Sequence, residues 1–243
     1  GGGAAAGCSR VLDGKSALYS ACKKGRVEAV HALLEGGASV GLADAFGHTP
    51  LHGAVEYGHQ EVLGLLLDTL KTPAKGVGPG PGGGGGGSIA EGNSQRHHHA
   101  HAWLNARTSR GQTALHYAAA RGDEVATRAL ARAGADVHAR NRQGRTSLHI
   151  ACHKGHTEVA KVLLSFGASP GAAVGTVGWT PLHSAAAKGR PAITALLLQH
   201  GADPGAKTAQ GNTPHALALH GGHPDVCQQL NQALSGQTGH TPL

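Results

Sequence analysis

The chain has 243 residues, enough for one or two domains, and carries a net charge of +7 with histidine neutral. Aromatics are only 3% of it and glycine supplies 40 residues, so Ala, Leu and Val must build any core. No window approaches the ~18 apolar residues that a bilayer span needs, and the N-terminus lacks the apolar stretch of a signal peptide. Cys8, Cys22, Cys152 and Cys227 show no Cys-x-x-Cys spacing, which argues against both a disulfide framework and a zinc site. With no Asn-x-Ser/Thr sequon either, the expected setting is intracellular, cytoplasmic or nuclear. Methionine is absent, so a fragment or a misassigned start is expected.

Residues 1–15 read as a flexible Gly/Ala-rich start. From Ser16 onward a repeat sets in. Ser16-Ala17-Leu18-Tyr19 is followed by Thr49-Pro50-Leu51-His52, Thr113-Ala114-Leu115-His116, Thr146-Ser147-Leu148-His149, Thr180-Pro181-Leu182-His183 and Thr213-Pro214-His215-Ala216. The steps are 33, 64, 33, 34 and 33 residues. A second motif keeps phase, as in Leu163-Leu164-Ser165-Phe166-Gly167-Ala168 and Leu197-Leu198-Gln199-His200-Gly201-Ala202-Asp203. Between the two motifs lies a glycine: Gly25, Gly58, Gly122, Gly155, Gly189 or Gly222.

Each unit therefore predicts a short helix, a turn, a second helix and a Gly-containing return. Thr before Pro starts the first helix, and Pro191 and Pro224 suit the first turn of the second, where a missing N–H costs little. Val159, Val162 and Leu163 form one apolar stripe at i, i+3 and i+4. Self-similarity of this period is the mark of a stacked array. Repeats 1 and 2 occupy 16–70, and repeats 3 to 6 occupy 103–234. Residues 235–243 form a tail that ends on His240-Thr241-Pro242-Leu243, the opening of a truncated repeat.

The one long step exceeds its fellows by 31 residues and places an insert at 71–102 within repeat 2. It holds Gly82 to Gly87, Pro73, Pro79 and Pro81, then His97, His98, His99 and His101. Such composition cannot offset the entropy of ordering, so a disordered segment is expected. The cluster at 97–101 reads as an inert low-complexity tract, with weak metal binding as the lesser alternative.

These six phased motifs resemble the ankyrin repeat over about residues 16–71 and 105–234. The resemblance implies an all-α solenoid of stacked helix pairs with hairpin fingers and a concave binding face. It also implies a non-catalytic scaffold or adaptor that binds another protein, with no cofactor, metal or small-molecule substrate, as a monomeric array. The alternative is the regulatory or substrate-docking region of a larger enzyme or channel.

The repeated histidines His52, His116, His149 and His183 sit a repeat apart, too far to share a metal. Hydrogen bonding within and between turns is their expected task. Cys22 and Cys152 fall where Ala119 and Ala186 do, on the packed side of the first helix. Gly14-Lys15-Ser16 lacks both the leading glycine and the strand of a phosphate loop.

Residues 105–155 hold Arg107, Arg110, Arg121, Arg128, Arg132, Arg140, Arg142, Arg145 and Lys154 against Asp123, Glu124 and Asp136. Arg107, Arg110, Arg140, Arg142 and Arg145 fall in fingers. Arg121, Lys154 and Lys188, like Lys24, precede the inter-helix glycine. The weightier reading of these cations is an ordinary solvated surface. The functional one is a cationic face that would steer an acidic protein partner. Nucleic acid is disfavoured because stacking aromatics are lacking in these fingers. Trp179, the large aromatic of its finger, and Tyr57 are candidate anchors. Packing of Trp179 on the neighbouring finger is the equal alternative.

Overall fold

The computed structural model describes residues 16–70 and 102–237. The expectations for the Gly/Ala-rich start, for most of the insert including His97 to His101, and for the closing Thr-Pro-Leu lie outside the described residues.

The helices fall into two rows. First helices are α1 (Ala17–Lys23), α3 (Pro50–Tyr57), α5 (Ala114–Arg121), α7 (Ser147–Lys154), α9 (Pro181–Ala187) and α11 (Pro214–His220). Second helices are α2 (Val27–Glu35), α4 (Gln60–Asp68), α6 (Glu124–Arg132), α8 (Thr157–Ser165), α10 (Pro191–Gln199) and α12 (Pro224–Gln237). Each helix packs on its pair-mate and on the matching helix of the next repeat, so the array is built from neighbour contacts. Residues 102–104 are already helical, and Leu104 is buried in the core ahead of α5.

Composition decides how close the rows come. Ala54, Ala118, Ala151, Ala185 and Ala218 occupy one slot in successive first helices, and each is fully buried. A methyl group is all that this spacing admits. The motif leucines Leu51, Leu115, Leu148 and Leu182 are likewise buried and fill the volume between the rows. In α8 the predicted stripe of Val159, Val162 and Leu163 is buried. Burying a leucine of this kind stabilises the fold by about 1.5–3 kcal/mol. Cys22 and Cys152 lie in the core as small apolar groups, and burial pushes the Cys22 thiol up to about 12 and the Cys152 thiol higher still.

Ahead of five first helices the chain makes a finger, at residues 44–48, 108–112, 141–145, 174–179 and 208–212. A side-chain oxygen ties each of four of these turns. Asp44 accepts from the amides of Phe46 and His48 at 2.9 and 2.8 Å, and Asn141 from those of Gln143 and Arg145 at 3.0 Å each. Thr108 and Thr208 accept from Gln112 and Asn212 at 3.2 and 3.1 Å. Main-chain bonds then link fingers: Ser109 N–H to Phe46 C=O at 2.7 Å, Arg142 to Arg110 at 3.0 Å and Ala209 to Val177 at 2.9 Å. Gly47 is needed at its turn, since φ is +78° and a Cβ would stand 2.7 Å from the Arg107 carbonyl oxygen.

Candidate functional site

Two inter-repeat devices set the face on which any partner would rest. The first is a Thr–His clasp. In α3 the Thr49 amide donates to His52 Nδ1 at 3.2 Å, and the Thr49 hydroxyl meets the same nitrogen at 2.9 Å. Nδ1 is therefore an acceptor, so the ring is neutral and carries its proton on Nε2. That nitrogen donates to the Gln112 carbonyl oxygen in the next finger, at 3.2 Å. His116 repeats this bond to Arg145, His149 to Trp179 and His183 to Asn212, each at 3.1 Å. Burial outweighs these bonds and lowers the protonation of all four, to about 4 for His52 and His149. The histidines are thus structural ties between repeats, as their spacing suggests.

The second device covers the inter-helix glycine. His59 lies over Gly25 and bonds the Lys23 carbonyl oxygen at 3.0 Å. His156 lies over Gly122 and His223 over Gly189. Arg190 lies over Gly155 and donates to the Lys154 carbonyl oxygen at 3.3 Å. Repeat 3 has Asp123 at this position, where it caps α6 by accepting from the Ala126 amide at 2.9 Å. Its place over Gly58 is taken by Arg121, which donates to the Glu56 carbonyl oxygen at 2.8 Å.

The nine candidate contact residues consequently divide. Arg121 holds repeat 3 to repeat 2. Arg140 donates to the Gly144 carbonyl oxygen at 3.2 Å and to that of Ala173, which braces finger 4 against the return of repeat 4. Trp179 is half-buried, donates from Nε1 to the Ser184 hydroxyl at 2.8 Å and packs at 5.8 Å from the His183 ring. Arg107, Arg110, Arg142, Arg145, Lys154 and Lys188 are exposed, and none is in a salt bridge among the described residues.

The structure adds residues that the sequence reading passed over. His153, half-buried on α7, has its protonation lowered by burial, then by Lys188, Arg145, Lys154 and Arg190. Cations from repeats 4 and 5 thus act together on one imidazole. Its helical position, one residue before Lys154, was the available signal. Phe46, 57% exposed at the tip of finger 2, was legible from Asp44-Ala45-Phe46-Gly47-His48 in the finger register. It borders a cavity of about 290 Å³ with His48, Glu56, Arg110 and Tyr117. His48 sits between Asp44, at 3.3 Å, and the Tyr117 hydroxyl, at 3.2 Å. Tyr57 is exposed, with the Lys23 ammonium 5.0 Å above its ring. Among the described residues, no group of three or more His, Cys, Asp or Glu could hold a metal ion.

The family described as Ankyrin repeats matches at residues 2–75, 93–174 and 170–238. The chain belongs to the ankyrin-repeat family. It is also similar to the neurogenic locus notch homolog protein 1 of Cricetulus griseus and of Mus musculus, at 34% identity over 126 residues in each case. That stretch is 51% of this chain and 5% of each relative. Ankyrin repeats are a general protein–protein interaction module and are typically non-catalytic. No helix among the described residues is long and apolar enough to cross a membrane.

Proposed function

We propose that the chain holds an acidic protein partner against the face made by its fingers and first helices, centred on repeats 3 to 5. The observation that carries this reading is the charge along that face. Between Asp136 and Asp203 the one carboxylate is Glu158, and it is spent on Lys161 at 2.7 Å within α8. Arg142, Arg145, Lys154 and Lys188 therefore stand in this stretch without local neutralisation. Such a field raises the association rate of an oppositely charged partner more than it raises affinity. The buried thiols of Cys22 and Cys152 suit a reducing, intracellular compartment.

Capture of partners from a lysate by the wild-type chain, compared with Arg142→Glu/Arg145→Glu/Lys154→Glu, tests the reading. The triple variant should retain its thermal transition and lose capture at physiological salt. Unchanged capture would overturn it. A second reading makes these repeats the docking or regulatory region of a larger enzyme or channel. It draws on the relatives, in which the matched stretch is a small part of the whole. Sequencing the full-length transcript tests it, and a stop codon directly after Leu243 would remove it.

A further inference from the structure

We propose that Arg145, Lys154 and Lys188, gathered around His153 where repeats 4 and 5 meet, form a receptor for a phosphorylated side chain on the protein partner. This rests on the reading above that the partner is an acidic protein.

The junction differs from its counterparts. Lys154, the last residue of α7, and Lys188, which caps α9, occupy one slot in successive repeats, both exposed. At the junction of repeats 2 and 3 that slot holds Tyr57 and Arg121, and Arg121 is tied to the Glu56 carbonyl oxygen. The slot beside it holds Lys23 in repeat 1, Glu56 in repeat 2, Ala120 in repeat 3 and Ala187 in repeat 5, and a histidine in repeats 4 and 6, His153 and His220; of these two, His153 has a lysine after it and His220 a glycine. Arg145 approaches from finger 4, with its amide held by Asn141 and its carbonyl oxygen by His116. Its backbone is thus fixed, while its side chain is exposed and in no salt bridge among the described residues. Arg190 adds charge at the rim, held in place over Gly155 by its bond to the Lys154 carbonyl oxygen. After burial, the strongest influences on the His153 ring are these four cations.

Charge and reach then select the ligand. Helices packed side by side run about 8–10 Å apart, so ammonium groups on flexible four-carbon stems can close on one group lying between them. A carboxylate brings a single charge to that gap. A phosphorylated side chain brings about −1.5 to −2 and three strong acceptor oxygens. Two of those oxygens suit the planar fork of Arg145 and the third suits the lysines. Recognition of phosphorylated segments by clustered cations is an established mode of peptide binding.

Fluorescence polarisation with degenerate peptide pools centred on phosphoserine, on glutamate and on serine tests this, with a poly(U) RNA as a fourth probe. The chains are the wild type, Lys154→Ala/Lys188→Ala, and Lys23→Ala/Lys24→Ala as a charge-matched control. The phosphoserine pool should bind the wild type at least about tenfold tighter than the glutamate pool. That preference should vanish in the first variant and persist in the control, with thermal midpoints of both variants retained. The His153 ring should titrate at higher pH when the wild type is saturated with the phosphoserine pool.

Equal binding of the phosphoserine and glutamate pools, both lost in Lys154→Ala/Lys188→Ala, overturns the phosphate assignment and leaves the acidic-partner reading standing. A phosphoserine preference untouched by that variant overturns the site. Poly(U) binding tighter than the phosphoserine pool makes the cluster a nucleic-acid site and overturns the proposal. No binding by any pool overturns it too, and lysate capture then reports separately on the acidic-partner reading.

Discussion

The buried histidines tie the stability of this chain to pH, with a sign that follows from their geometry. His52, His116, His149 and His183 all accept a hydrogen bond at Nδ1, so a second proton would break the clasp. The folded state lowers their protonation, to about 4 for His52 and His149, whereas an unfolded histidine titrates near 6.5. The unfolded chain therefore binds more protons between those values. The clasps contribute fully above about pH 6.5, and their contribution is lost as pH falls towards 4. For His52 and His149 this corresponds to roughly 3 kcal/mol each. Urea unfolding should give a midpoint that is flat from pH 8 to 7 and falls between pH 6.5 and 4. A midpoint that rises on acidification would contradict the clasp. The Thr-x-x-His spacing made the clasp foreseeable, because it places the imidazole over its own helix start. The chain reversals that place His48 beside Tyr117 could not be foreseen, since the two are 69 residues apart.

At the scale of the helix pair, one departure from the repeat offers a direct test. Ser147 opens α7 where Pro50, Pro181 and Pro214 open α3, α9 and α11. Its hydroxyl is buried and has no hydrogen-bond partner among the described residues. The first position of a helix has no use for its N–H, and Thr146 before it is already extended, with φ −88° and ψ 168°. Ser147→Pro should therefore stabilise the chain by about 0.5–1 kcal/mol, read as a higher thermal midpoint. The inter-helix glycines predict the opposite. Gly122 has φ +77°, and a Cβ there would lie 2.5 Å from the ring of His156. Gly122→Ala should cost about 1–3 kcal/mol, and pairing it with His156→Ala should recover part of that loss. Enlarging the alanine slot, as in Ala151→Leu, should cost a similar amount by overpacking. The helix pairs were legible from the phased motifs because each motif residue has one task in every repeat. What covers each glycine was not, since histidine, arginine and a residue from a different slot all serve that purpose.

Across the whole array, charge and stability are distributed differently. The core column of alanines and leucines is uniform from α3 to α9, whereas the exposed face changes from aromatic and mixed-charge around Phe46, Tyr57 and Glu56 to cationic around His153. Raising salt from 50 to 500 mM should therefore weaken partner capture while leaving the thermal transition nearly unmoved, because screening acts on exposed charges far more than on buried packing. The sequence exposes the net bias of residues 105–155 but not its partition. Arg121 and Arg140 are engaged by carbonyl groups from segments 65 and 33 residues away, pairings that only stacking creates. The Thr–His clasp and the finger-to-finger amide bonds have a further consequence, under load. Each joins one repeat to the next and no further, so among the described residues tension along the array meets these ties one junction at a time. Pulled apart with tweezers, the array should peel in successive steps. A plain repeat of about 33 residues would release roughly 11 nm of contour per step. The same device that keeps neighbours in register would make the molecule a compliant, reversible spring.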